Sequence, residues 1–254
     1  GTYRLAKQYE QQYDIKAHFN PFKDINEVAA LINDKTKAIF IETPTNPLMQ
    51  EISIEDYAVL AHKHNLLLIV DNTFLTPYYQ RPIELGADIV LHSATKYIGG
   101  HNDVLAGLVV AKGEELSEQL FLLHNASGAT LGAFDCWLLI RGLKTLHLRM
   151  KQHTKNATAL VEFLTAQPEV KDVLYAGLGG MISFRLQKAE WVPTFLEGID
   201  LIAFAESLGG VESFITYPTT QTHADIPEEE RNARGVDASL LRFSVGLEDV
   251  DDLT

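Results

Sequence analysis

Three short apolar runs constrain the fold most. Lys37-Ala38-Ile39-Phe40-Ile41, Leu66-Leu67-Leu68-Ile69-Val70 and Ile89-Val90-Leu91 are each too short for a helix of ordinary length. They are nearly continuous in apolar character, as strands buried on both faces are. Helical patterns separate them. Asp24 and Glu27 form a capping pair ahead of Ile25, Val28, Leu31 and Ile32. Ser53 and Asp56 do the same ahead of Ile54, Tyr57, Ala58 and Ala61. Pro44 and Pro47 confine 43–47 to a loop. Strands alternating with helices predict an α/β domain with a mostly parallel sheet covered on both faces.

Open sheets of this kind bind ligands beyond the carboxyl ends of their strands. Glu42, Asp71 and Ser93 stand at such ends, and Lys96 follows Ser93 by three residues. An amine and a carboxylate at neighbouring strand ends, with hydroxyls beside them, match the needs of one cofactor. Pyridoxal 5'-phosphate takes a lysine Schiff base, an acidic partner for its pyridinium nitrogen, and donors for its phosphate. Ser93 and Thr95 are two residues apart and face the same way on extended chain.

Further along, 134–164 reads as one long helical stretch. Gly179–Leu186 reads as a strand with alternating exposure, and Leu240–Val245 as another strand. The expected division is a cofactor-binding domain over 1–150 and a smaller α+β domain over 151–254, each shortened at its outer end. Glu228-Glu229-Glu230 reads as a solvated helix start.

Net charge is −13, from 21 basic and 34 acidic residues, and no basic stripe stands out. This argues against nucleic acid and against an anionic membrane as partners. No apolar run is long enough for a membrane span. With one cysteine, Cys136, no intrachain disulfide can form, and the cytoplasm is the expected compartment. Cys136 lies in the apolar run 134–140 and reads as a small buried hydrophobe. His62 and His64 lack a third ligand, so no metal site is expected. His92 and His101 are expected to support the site from outside it.

Six ordered motifs extend the argument: Gly1-Thr2-Tyr3-Arg4-Leu5, Glu42-Thr43-Pro44-Thr45-Asn46-Pro47, Val70-Asp71-Asn72-Thr73-Phe74, His92-Ser93-Ala94-Thr95-Lys96-Tyr97, Ser207-Leu208-Gly209-Gly210-Val211-Glu212-Ser213 and Leu241-Arg242-Phe243-Ser244-Val245-Gly246. Through them the chain resembles the Cys/Met-metabolism pyridoxal-phosphate enzymes, which include cystathionine γ-synthases, cystathionine β- and γ-lyases and O-acetylhomoserine sulfhydrylases. The resemblance implies the aspartate aminotransferase-like fold type I. It implies that Lys96 is the Schiff-base lysine, which also shuttles protons. It implies that Asp71 holds the pyridine nitrogen, that Ser93 and Thr95 bind phosphate, that Asn46 lies near the ring hydroxyl and Thr73 beneath the ring. Arg242 would grip the substrate α-carboxylate, with Ser213 beside it and Glu212 near the substrate.

The family carries a preceding segment with a phosphate-binding glycine turn, a ring-stacking tyrosine and residues reaching a neighbouring subunit. The chain is therefore expected to be part of a longer protein, working as a homotetramer with shared sites on amino-acid substrates. The compact link 174–180 and the phrase Phe214–His223 resemble the cystathionine γ-synthase/O-acetylhomoserine thiolyase branch. The implied reaction is γ-replacement on an activated homoserine ester by cysteine or sulfide, in methionine biosynthesis. The alternatives are a β- or γ-lyase of the same family and an inactive truncated fragment.

Overall fold

In the computed structural model, which describes residues 2–22, 24–222, 224 and 226–254, the three apolar runs become parallel strands. They are β1 (Ala38–Glu42), β2 (Leu67–Asp71) and β3 (Ile89–Ser93), and β4 (Gly107–Ala111) adds antiparallel to give the order β1-β2-β3-β4. Each of the first three reaches one or two residues further than its apolar run, so its polar end residue belongs to the ladder. The register sets Glu42 level with Asp71, and Asp71 level with Leu91. Parallel strands point one way, so Glu42, Asp71 and Ser93 finish on one edge of the sheet.

The helix α3 (Ile54–Lys63) returns the chain from β1 to β2, burying Ile54, Tyr57, Ala58 and Ala61. Ser53 caps it by accepting from the Asp56 amide at 3.2 Å. The short α4 (Thr76–Tyr79) follows β2. Beyond β4 comes α5 (Glu114–Ser127), which carries no buried side chain and which no sequence pattern announced.

The long helical stretch divides into α6 (Ala133–Leu143) and α7 (Leu146–Ala166). Thr145 causes the break. Its amide and its hydroxyl both donate to the Gly142 carbonyl, at 3.1 and 3.2 Å, ending the helical ladder there. Cys136 is exposed rather than buried. α6 is apolar nearly all round, but only Leu139 and Gly142 are buried. Cys136 lies off that narrow stripe.

A second sheet runs β5-β6-β9-β8-β7, formed by β5 (Val170–Leu174), β6 (Met181–Leu186), β7 (Ala203–Phe204), β8 (Phe214–Thr216) and β9 (Leu240–Ser244). It is antiparallel except for β7 on β8. β6 does not alternate in exposure; it is covered on both faces, as is β9. Its core joins Ile182, Phe184, Ile215, Leu241 and Phe243 to Ala157, Leu160 and Leu164 of α7. Between β8 and β9 the acidic run opens α9 (Glu228–Ala233), after the short α8 (Val192–Glu197) that precedes β7.

These elements form one compact unit, Ala38–Thr254. A second unit, Gly1–Lys37, holds α1 (Thr2–Tyr13) and α2 (Ile25–Leu31). In it Asp24 caps α2 through the Asn26 amide at 2.8 Å, and the rings of Tyr3 and Phe19 meet at 4.6 Å. Gly1 and His223, which end two of the family motifs, lie outside the described residues. Among the described residues no helix is long and apolar enough to cross a membrane.

Phe184 is 1% exposed and meets Phe195 edge-on at 5.8 Å. Phe184→Ala should lower unfolding free energy by about 3–5 kcal/mol, the usual cost of emptying a ring-sized core site. Equilibrium urea unfolding measures it, and a loss below about 1 kcal/mol would place this core elsewhere.

Candidate active site

Thr73 joins two strand ends. Its hydroxyl donates to Asp71 Oδ1 at 2.5 Å and accepts from the Ser93 amide at 2.9 Å. The Thr73 amide also donates to Asp71 Oδ1, at 3.0 Å. One carboxylate oxygen is thereby fixed in place. Among the described residues Oδ2 of Asp71 and Oγ of Ser93 take no hydrogen bond. Thr95 is placed differently. Its hydroxyl accepts from the Ala106 amide at 2.9 Å and donates to the Ala106 carbonyl at 3.2 Å, binding the turn to the approach of β4.

Lys96 sits in the tight turn that follows β3. Its amide donates to the Ser93 carbonyl at 3.1 Å, and its carbonyl accepts from Gly100 at 2.7 Å. Gly209, at φ +77°, presses on this turn: a Cβ there would lie 2.8 Å from the Tyr97 nitrogen and 3.2 Å from Lys96 Cβ. The Gly209 amide is held by Ser244 Oγ at 2.8 Å. Lys96 Nζ has no ion pair or hydrogen bond among the described residues. Burial holds its pKa below the ordinary lysine value, the Arg242 charge adds to that, and Glu206 opposes it.

Arg242 is 1% exposed on β9, level with Ser183 and Thr216. Nη1 donates to Asn46 Oδ1 at 3.1 Å. Nη2 donates to Thr216 Oγ1 at 2.8 Å and to the carbonyls of Glu206 and Ser207 at 2.7 and 3.3 Å. Nε is buried without a partner, and no carboxylate lies within ion-pair distance among the described residues. Burial lowers its pKa to about 10. A buried cation with an unfilled donor and no counter-charge is suited to an incoming anion.

Two further residues named from the sequence stand apart from this group. Ser213 is fully engaged: its hydroxyl donates to Glu248 Oε2 at 2.9 Å and accepts from the Gly246 amide at 2.8 Å. Glu212 is exposed and accepts from Asn102 Nδ2 at 2.7 Å. His92 is buried on β3 with its pKa held down by burial, and His101 Nδ1 meets the Gly99 carbonyl at 2.8 Å. His62 pairs with Asp88 at 3.0 Å, away from the site.

The structure adds Glu42, Thr216 and Glu248 to what sequence reasoning assigned. Glu42 was visible as a strand-end acid but had no task. Thr216 lies in the phrase 214–223 but was given no task there, and Glu248 lies in no motif. They are found only through the pairing of β8 with β9 and the return of the chain after Gly246.

The donor set fits pyridoxal phosphate. A partnerless amine with a lowered pKa can bond an aldehyde carbon. Asp71, with one oxygen fixed and one open, can take a ring N–H. The open Ser93 hydroxyl, at the end of β3 and three residues ahead of Lys96, can donate to a phosphate oxygen.

Comparison with known proteins gives an independent result. The family model described as Cys/Met metabolism PLP-dependent enzyme matches residues 1–254. The chain is 60% identical over 254 residues to a cystathionine γ-synthase of Haemophilus influenzae, covering all of this chain and 69% of that protein. It is 62% identical over 253 residues to a cystathionine γ-synthase/O-acetylhomoserine (thiol)-lyase of Bacillus subtilis, covering all of this chain and 68% of that protein. The solved cystathionine γ-synthase of Xanthomonas oryzae pv. oryzae, in complex with aminoacrylate and cysteine, superposes with a TM-score of 0.95 at 38% identity, over 99% of this chain and 70% of that one.

Burial, reinforced by the neighbouring Asp71 charge, pushes the pKa of Glu42 up to about 8. The folded value lies above the unfolded one near 4.5. The contribution is therefore intact below about pH 4.5 and is lost as pH rises towards 8. In the cofactor-free protein Glu42→Gln should remove this loss. Between pH 5 and 8 the variant should gain several kcal/mol relative to wild type. Parallel stability-against-pH curves would contradict the assignment.

Proposed function

The chain belongs to the Cys/Met metabolism family of pyridoxal-phosphate-dependent enzymes, and from that premise we propose that it catalyses γ-replacement on an activated homoserine ester. Cysteine or sulfide is the incoming nucleophile, and cystathionine or homocysteine the product. The fold is the fold type I of these enzymes, with the cofactor carried by 1–150 and completed by 151–254. The observation that carries the reading is the pairing of a partnerless Lys96 amine with a buried Arg242 that lacks a counter-charge. One group suits an aldehyde and the other a carboxylate, as an amino-acid reaction on pyridoxal phosphate requires.

Bound pyridoxal phosphate supplies an electron sink for charge developing on the substrate's carbon chain. The rest falls to side chains. Lys96 would hold the cofactor through its amine, and the same amine would carry protons at the substrate's Cα and Cβ. Its lowered pKa leaves a larger neutral fraction to do so. Asp71 would hold the proton on the ring nitrogen, and Thr73 fixes that carboxylate in place. Ser93 would bind the phosphate through its hydroxyl, and Thr95 would serve it by bracing the turn through Ala106.

Arg242 would take the α-carboxylate, and Asn46, which accepts from that guanidinium, would face the ring hydroxyl. Ser213, through Glu248 and Gly246, holds the chain that follows β9, and Glu212 is the acid that the family resemblance puts near the substrate. In the net reaction the Cγ–O bond breaks, the acyl group leaves as a carboxylate, a Cγ–S bond forms and the thiol proton is released. The 60% and 62% identities to proteins named as γ-synthases favour synthesis over cleavage. A cytoplasmic homotetramer with shared sites completes the reading, on the strength of the family resemblance.

Lys96→Ala should abolish covalent retention of pyridoxal phosphate, measured by mass after borohydride reduction, and with it turnover; retention at wild-type stoichiometry would refute the lysine's role. For substrate choice, the wild-type enzyme should convert O-acetylhomoserine plus cysteine to cystathionine faster than it cleaves cystathionine. The reverse order of kcat/KM would establish a lyase. Arg242→Lys should lower kcat/KM by about 10- to 150-fold, the loss of about 1.5–3 kcal/mol expected when a charge-assisted fork is removed. Covalent cofactor should be retained in this variant.

A further inference from the structure

The Lys96 turn closes on itself through few amides: Gly99 donates to Ala94 at 2.8 Å and Gly100 to Lys96 at 2.7 Å. Among the described residues no backbone amide reaches the carbonyls of Tyr97 and Ile98, residues that are 0% and 2% exposed. They resemble the unsatisfied carbonyls at a helix C-terminus, where a cation is favoured.

Arg149 of α7 supplies that cation. Nη1 donates to the Tyr97 carbonyl at 2.5 Å, and Nη2 to the carbonyls of Ile98 at 3.4 Å and Gly142 at 2.9 Å. Nε donates to Thr145 Oγ1 at 3.1 Å. The residue is 4% exposed, and no carboxylate pairs with it among the described residues. Two glycines make room for this packing. A side chain on Gly100 would collide with the guanidinium, and one on Gly142 with the Gly99 and Ile98 carbonyls.

The same buried stripe of α7 continues to the substrate side. His153 and Asn156 follow Arg149 by four and seven residues, on one helix face. His153 Nδ1–H donates to the Val245 carbonyl at 2.7 Å; a carbonyl only accepts, so Nδ1 carries the proton. Asn156 Nδ2 donates to the carbonyls of Gly246 and Glu248 at 3.1 and 2.9 Å. These residues directly follow the strand that bears Arg242.

We propose that Arg149 is a positioning residue for Lys96: it clamps the open carbonyls of the lysine turn, presents the amine to the cofactor and, through α7, sets its place relative to Arg242. The proposal rests on the pyridoxal phosphate reading above. Arg149→Met keeps bulk without donors, and Arg149→Lys keeps charge without the fork. Leu160→Ala, also on α7 but in the core of the second sheet, controls for lost stability. Each holoenzyme is stripped of cofactor and incubated with pyridoxal phosphate well below its own melting temperature. The protein is then reduced with borohydride, and the pyridoxyl group on Lys96 is followed by mass against time.

Attachment in Arg149→Met should slow by about tenfold or more, the scale of losing several charge-assisted hydrogen bonds. Arg149→Lys should fall between Arg149→Met and wild type, and Leu160→Ala should keep the wild-type rate despite its lower melting temperature. Wild-type rates in both Arg149 variants overturn the proposal, as does an equal slowing in Leu160→Ala. If Arg149→Met does not fold, Arg149→Lys against Leu160→Ala decides alone by the same criterion. A wild-type protein that takes up no pyridoxal phosphate on Lys96 overturns the cofactor reading, and this inference with it.

Discussion

The site depends on a buried guanidinium that has no ion-pair partner among the described residues. Arg242 draws in Asn46 from the loop after β1, the carbonyls of Glu206 and Ser207, and Thr216 from β8. Removing a guanidinium from water costs several kcal/mol, so the three segments that satisfy it together cannot relax apart cheaply. The loop after β1 in the first sheet is thereby tied to β9 in the second. Because the satisfied donors leave one nitrogen open, the tie also leaves a place for an anion.

Charge placement extends this. Lys96 and Glu42 are of opposite sign, yet burial moves both towards their neutral forms. Arg242 presses Lys96 further that way, and Asp71 does the same to Glu42. A site that must bind a cofactor phosphate and a substrate carboxylate gains from having few fixed charges left over. The amine also gains nucleophilicity from losing its proton.

Much of this was legible in the sequence. The apolar runs gave the three parallel strands because burial on both faces leaves little room for another pattern. Their end residues gave the site because strand direction places them on one edge. The capping pairs at Asp24 and Ser53 were read from local chemistry alone. What escaped notice depends on distant partners. Nothing in Thr145 announces that its two donors will end a helix on the Gly142 carbonyl. Cys136 looked buried because α6 is apolar all round, whereas only a narrow stripe of it is covered. Ser213 was placed beside the substrate site, but its hydroxyl is absorbed by Glu248, which only the return of the chain brings near. A signal for α7 did exist: Arg149, His153 and Asn156 fall on the same stripe as Leu146, Met150, Ala157 and Leu160. Polar residues in an otherwise apolar helical stripe indicate buried partners.

That stripe has a mechanical consequence. The Lys96 turn and the chain after the strand bearing Arg242 hang from one 21-residue helix, at points within about two turns of each other. A helix is stiff over that span. Any hinge that swings other elements while α7 stays intact carries amine and guanidinium together as one rigid body, so the gauge between the two ends of the substrate is preserved through the motion.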